Sequence, residues 1–284
     1  MALTAAYRYL VLGTIGGTFY LIGVGLLYQA TGTLNIADLA VRVAEVGDSR
    51  AVRVSFGFMT VGLGIKLALF PMHVWLPNAY AYAPSVSSAF LAATATKVSI
   101  YVLVRVFFTI FGPDYSFETM PLDVVLLPLA VTAMFVGSLV AIFQDDVKRM
   151  LAYSSVAQIG YMIVGISLAS VIGLTGGLLH LFNHALMKGA LFLAMGCVVY
   201  RLGSAMLDDL SGLGRRMPWT MAAFVIGGLS LIGIPLTAGF VSKWYLILGA
   251  LDKDWWRLAA LILLSSLLAI IYVWRIIEVA YLRA

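Results

Sequence analysis

Residues 62–97 read GLGIKLALFPMHVWLPNAYAYAPSVSSAFLAATATK. Two apolar runs here each carry a lysine, Lys66 and Lys97, and Pro71, Pro77 and Pro84 crowd the connection between them. If such a run crosses a bilayer, a central lysine costs about 2.5–3.5 kcal/mol on insertion scales. Either these runs do not cross, or the lysines have a purpose.

Composition decides the first point. The 284 residues are 62% hydrophobic and 11% charged, with a mean hydropathy of +1.01, whereas a soluble domain has a charged fraction near about 25%. The apolar runs are about 20 residues long, which is helix length for a hydrocarbon core of roughly 30 Å and too long for a barrel strand. An all-α polytopic membrane protein is expected. Windows of about 19 residues place eight spans at 9–28, 55–80, 85–111, 122–143, 150–170, 174–200, 219–251 and 258–279, the second and seventh interrupted. Between the first two lies LNIADLAVRVAEVG, which suits a short interfacial helix with Asn35 as its N-cap. No Ser/Gly linker divides the chain, so residues 1–284 read as a single transmembrane domain.

Eight spans put both termini on one side. That side carries Arg8, Lys148, Arg149, Arg201, Arg215, Arg216, Arg275 and Arg283, against Arg42, Arg50, Arg53, Arg105, Lys253 and Arg257 opposite. The bias points to cytoplasmic termini in a cell membrane. Trp75, Trp219, Trp255, Trp256 and Trp274 fall near breaks or span ends, as an aromatic belt requires. The net charge of +5 is dispersed over helix ends, so nucleic acid is not an expected partner. Cys197 is the one cysteine, which excludes an internal disulfide and a cysteine-bound iron–sulfur centre. No nucleophile–base triad, phosphate loop or dinucleotide fingerprint is present, so no catalytic site and no cofactor are expected in this chain.

The acidic residues all fall in loops or near span ends, leaving Lys66, Lys97, Lys188 and, less centrally, Lys243 as the charges at depth. Lys97 lies about 13 residues, or roughly 20 Å, from either end of its run, and a lysine stem reaches only about 6 Å. It cannot snorkel to the headgroups. The same holds nearly as well for Lys66 and Lys188, while snorkelling remains open to Lys243. No carboxylate lies at matching depth to fix these charges, so each lysine can load and release a proton.

The stretch HLFNHALMK adds His180, His184 and Lys188 at i, i+4 and i+8, along one face of a helix. Three protonatable groups one turn apart form a ladder. The pair of histidines could supply two metal ligands, but no carboxylate or cysteine nearby completes a site. Histidines hydrogen-bonded inside the bundle are the bland alternative. Asn183, Gln158, Ser154 and Ser155 could hold water between such groups or simply link helices. Pro71 and Pro77 free the carbonyls of Leu67 and His73, and Pro235, in GIPLTAGF, frees that of Leu231. Freed carbonyls at membrane depth persist only inside protein or beside water, and paired broken helices point to inverted repeats with a path at their breaks.

Four ordered segments, residues 64–97, DDVKRMLAYSSVAQIGYM (145–162), HLFNHALMKGALFL (180–193) and GIPLTAGFVSKW (233–244), closely resemble the antiporter-like membrane subunits shared by Mrp-type cation/proton antiporters and respiratory complex I. The resemblance covers nearly the whole chain. It implies two inverted five-helix repeats, each with a broken helix, carrying protons along a polar mid-membrane axis within a multisubunit complex. On that pattern Lys66 resembles the central lysine of the first broken helix and Lys97 the connecting lysine. His180, His184 and Lys188 resemble the relay of the second repeat, and Lys243 the terminal lysine of its broken helix. Family members carry a glutamate partner for the residue matching Lys66, on a helix preceding the first one here. The first repeat, residues 1–111, is therefore expected to be incomplete and the second, 121–284, to hold all five spans. A fragment, or completion by a separate chain, is implied.

Residues 5–40 and YVWRIIEVAYLR (272–283) look closer to the Mrp branch. Proton relay coupled to Na⁺ or K⁺ exchange is the leading expectation. A proton-pumping subunit of NADH:quinone oxidoreductase or a related redox complex is the alternative, and a non-conducting scaffold remnant the third reading.

Overall fold

The computed structural model describes residues 1–283. Twelve α-helices follow in order: α1 Ala2–Thr31, α2 Ile36–Val46, α3 Arg50–Leu67, α4 Leu76–Tyr82, α5 Ser85–Val104, α6 Leu122–Ile142, α7 Val147–Ser167, α8 Val171–Leu202, α9 Leu213–Arg216, α10 Pro218–Ile232, α11 Ala238–Asp252 and α12 Trp256–Leu282. A π-helical turn, Arg105–Ile110, extends α5. Six helices (α1, α5 with its extension, α6, α7, α8 and α12) are long and apolar enough to cross a membrane. The half-helix pairs α3/α4 and α10/α11 supply two further crossings, matching the eight expected from hydropathy.

Side-chain links fix which ends lie together. Lys148 Nζ, at the start of α7, donates to Ala83 O just past α4, at 2.7 Å. Ser211 Oγ, ahead of α9, donates to Arg283 O at the end of α12, at 3.0 Å. At the opposite end, the Tyr115 hydroxyl donates to Asp48 Oδ1 at 3.2 Å. The Tyr82 hydroxyl meets Met1 Sδ at 3.2 Å and the Leu207 amide donates to Asp145 O at 2.8 Å, so both described chain ends lie on the same side of the bundle.

The interfacial helix forms where the sequence places it. Asn35 Oδ1 accepts from the Ala37 and Asp38 amides at 2.9 and 3.3 Å, which satisfies two of the donors orphaned at a helix start. One turn on, Arg42 pairs with Asp38 at 2.9 Å. The guanidinium's hydrogen bond holds the Asp38 carboxyl below the usual carboxylate range.

The crossing α7 forms the centre of the bundle, with nearly every residue buried. It packs between α6 and α8, and α4, α11 and α12 also touch it. Closeness to α6 requires glycine: a Cβ at Gly160 would stand 2.6 Å from Ala130 O. Between α1 and α3, a Cβ at Gly62 would meet Gly16 O at the same distance. With little hydrophobic drive between helices in lipid, such close backbone approach is what holds them.

Arg275 of α12 clamps the α6–α7 loop. Its Nη1 donates to Ile142 O and, at 3.2 Å, to Gln144 O, and its Nη2 pairs with Asp145 at 3.2 Å. Arg275→Lys cannot span these partners with a single ammonium. The expected outcome is a lowered melting temperature and faster proteolytic cleavage at Gln144–Asp146, with Arg275→Ala more affected. Limited proteolysis of the purified protein measures this.

Candidate functional site

Three lysines lie inside the bundle without a carboxylate. Lys188 is fully buried and its Nζ donates to Leu151 O at 2.7 Å and to Ser154 Oγ, both on α7. Lys97, 4% exposed, donates to Ala92 O of its own helix. Lys243, also 4% exposed, donates to Leu231 O at 3.1 Å and Ile232 O at 2.8 Å. The four ion pairs among the described residues involve none of them. Neutral oxygens alone receive these ammonium groups.

The environment of Lys243 overturns the expectation that it could snorkel. Pro235 lies in the break between α10 and α11, where Gly233 ends α10 at φ 90°. Leu231 O, which Pro235 deprives of a helical donor, is the oxygen that Lys243 takes. The first turn of α11 packs beside the last turn of α10, and Lys243 points inward to that carbonyl. Its Nζ also sits 4.6 Å from the centre of the Tyr161 ring, a cation–π contact.

The first break is built differently. α3 ends at Ala68, in the left-handed region at φ 61°. The carbonyl of His73 takes the Leu76 amide at 3.0 Å, and Ile65 O takes the Trp75 indole N–H at 2.8 Å. The His73 carbonyl freed by Pro77 is thus satisfied within a turn. Pro77 itself lies in the first turn of α4, where proline fits a helix start, so Pro71 alone lies inside the break.

Lys66, in the last turn of α3, is exposed. A Cβ at Gly17 of α1 would lie 3.7 Å from its Cε, so its stem runs along α1 on the lateral face. Expected as a buried mid-membrane charge, Lys66 is not brought together with the other groups. The other five are arranged around one centre.

At that centre the HLFNHALMK face forms as the spacing predicts. His180 is fully buried between Ser242 Oγ, 2.9 Å from Nδ1, and Gln158 Oε1, 2.8 Å from Nε2. His184 stacks on it at a ring separation of 6.1 Å and an interplanar angle of 9°. Neither ring nitrogen of His184 has a partner, although the residue is fully buried. Two further hydroxyls, Thr96 beside Lys97 and Tyr272 of α12, are likewise buried and unpartnered. Each such group costs about 1–3 kcal/mol if left without a hydrogen-bond partner. Lys188 follows His184 by one turn of α8, and α5, which carries Lys97, and α11, which carries Lys243, both pack against α8.

The polar groups run in a line: Lys243, the Tyr161 ring, His180 at 5.6 Å from that ring, His184, then Lys188 with Ser154. Asn183 stands aside, its amide donating to Ala238 O at 2.7 Å, and Ser155 bonds Leu151 O on its own helix. Tyr161 and Ser242 were not singled out by sequence. Ser154, Gln158 and Tyr161 follow at i, i+4 and i+7 on one face of α7, a polar stripe that could have pointed to Tyr161. No group of three His, Cys, Asp or Glu able to hold a metal occurs among the described residues.

A family described as "NADH:quinone oxidoreductase/Mrp antiporter, TM" matches residues 1–269. The chain is 48% identical over 282 residues to an NADH-quinone oxidoreductase subunit of Desulforudis audaxviator, covering 99% of this chain and 56% of that protein. To a Na⁺/H⁺ antiporter subunit of Alkalihalophilus pseudofirmus it is 34% identical over 279 residues, covering 98% and 56%. Among solved structures, a chain of the Mrp complex from a Dietzia species superposes with a TM-score of 0.90 at 34% identity, covering 98% of this chain and 51% of that one. The chain spans little more than half the length of the relatives it matches.

Proposed function

This chain belongs to the NADH:quinone oxidoreductase/Mrp antiporter transmembrane family, and from that premise we propose that it relays protons across the membrane centre as one subunit of a multisubunit assembly. The observation that carries the proposal is His184: fully buried, unpartnered at both ring nitrogens, and set one turn from His180 and from Lys188. A neutral imidazole accepts at one nitrogen and donates at the other, so a water on either side lets it pass a proton without moving. The lysines at either end hold the proton on carbonyl and hydroxyl oxygens. Without a fixed anion, a proton on one amine disfavours a proton on the next. That repulsion drives stepwise transfer.

Lys97 joins the line from α5, and Lys66, on the lateral face, takes its counter-ion from a helix outside this bundle. On this reading residues 1–111 complete one repeat together with other helices, and residues 121–284 form a full repeat. The positive-inside bias supports termini in the cytoplasm and a place in the cell membrane.

For the coupled process, the leading reading is exchange of H⁺ against Na⁺ or K⁺. The second reading, proton pumping in a redox complex, is favoured by the 48% identity to an oxidoreductase subunit. Purification of the native assembly separates them. Flavin and iron–sulfur absorbance with quinone-dependent proton uptake supports the redox reading. Cation-dependent proton movement in vesicles without those chromophores supports exchange. Vesicles of the assembled complex that move no protons under either driving force would leave only a scaffold.

A further inference from the structure

We propose that the junction of α1, α4 and α7 is a binding site for an anionic phospholipid, its phosphate against Arg8 and Arg149 and its acyl chain in the apolar cleft beside them. Two adjoining cavities make the site. One, of about 300 Å³, carries the charge and is lined by Met1, Thr4, Arg8, Asn78, Tyr82 and Arg149. The other, of about 400 Å³, is apolar and lined by Ala6, Tyr9, Ala79 and Leu91, among others. They share Ala5 and Tyr82 as a common wall.

The first of these cavities has cations and nothing to neutralise them. No acidic residue lines it, and neither Arg8 nor Arg149 enters any of the four ion pairs among the described residues. Arg149 lines the cavity together with Arg8. A guanidinium fork of this kind matches a phosphate oxygen pair. The neighbouring Lys148 is already committed to Ala83 O and the Arg149 guanidinium lies 6.0 Å over the Tyr153 ring, which leaves Arg8 and Arg149 as charges without an acidic partner.

Depth argues for a lipid over a soluble anion. α1 has 30 residues, or roughly 45 Å of helix against a hydrocarbon core of about 30 Å, and Arg8 lies about 9 Å from its start. Arg149 lies in the first turn of α7. Both guanidiniums therefore stand at headgroup level, on the side richer in Lys and Arg. Basic pockets between helices on that side suit anionic headgroups. The apolar cleft supplies what a free phosphate would not use, a lining for hydrocarbon immediately beside the charge. A bound lipid would also brace α4, the short half of the first broken helix, against α1 and α7.

The test uses the native assembly in nanodiscs of phosphatidylcholine containing a minor fraction of phosphatidylglycerol, with retained lipid counted by native mass spectrometry. The wild type should retain phosphatidylglycerol over phosphatidylcholine by on the order of 10- to 30-fold, as two basic contacts provide. Arg8→Gln with Arg149→Gln should bring the ratio to parity, and Ala6→Trp, which fills the cleft, should lower retention with both arginines present. Arg201→Gln, which lines a separate groove, should leave the ratio unchanged. Unchanged retention in the double variant, an equal loss in Arg201→Gln, or displacement of the lipid by millimolar inorganic phosphate would each overturn the proposal. If the double variant does not assemble, Ala6→Trp and the phosphate competition decide it.

Discussion

Replacing Lys188 with methionine lowers proton movement through the assembled complex by about 100-fold or more, the scale on which a positioned proton-transfer group contributes, while the melting temperature stays close to wild type. The separation of the two effects follows from how Lys188 is held. It is fully buried, and its ammonium rests on Leu151 O and Ser154 Oγ. Methionine fills nearly the same unbranched volume. Ser154 keeps its own bond to Leu151 O at 2.9 Å, so no polar group is orphaned, and removal of a buried charge need not destabilise. His180→Phe behaves differently. Ser242 keeps its bond to Gly239 O at 3.1 Å, but the buried Gln158 Oε1 loses its partner, so stability falls with transport. Dye quenching in vesicles, with thermal melting of the same samples, reads both quantities. Wild-type proton movement in Lys188→Met would end the relay assignment.

What the sequence made legible was depth and periodicity. Lys97 and Lys188 lie far from the ends of their runs, and both are buried. The i, i+4, i+8 spacing of His180, His184 and Lys188 put them on one face, and the helix keeps it. Two lysines were harder for opposite reasons. Lys66 has the depth of a buried charge but lies on the outward side of α3, because position along a helix says nothing of which neighbour covers that side. Lys243 counts as shallow only if its span is continuous. Once the chain breaks at Gly233 and the first turn of α11 packs beside the last turn of α10, the same residue faces Leu231 O and Ile232 O. The contacts of Tyr161 with Lys243 and of Ser242 with His180 join α7 to α11 and α8 to α11. No local pattern carries such pairings, since they arise from packing between segments distant in sequence.

The second break also sets the largest structural effect. Gly239→Ala is expected to cost about 3 kcal/mol or more, at or above the upper end of overpacking substitutions. A Cβ at Gly239 would stand 1.8 Å from Ser230 O and 2.8 Å from its carbonyl carbon. The obstacle is backbone, which no rotamer change relieves. The Gly239 amide meanwhile donates to Ser230 Oγ at 3.1 Å, so the first turn of α11 sits directly on the last turn of α10. Separating the two by the needed ångström withdraws Lys243 from its carbonyls and Ser242 from His180. Transport and melting temperature should therefore fall together, unlike in Lys188→Met. Gly57→Ala in α3 is the matched control, since a Cβ there meets nothing within 4 Å, and it should leave both near wild type or gain slightly from helix propensity. A Gly239→Ala protein that melts and conducts like the control would mean that α10 and α11 are not in contact at the break. Lys243 would then have no reason to be buried there.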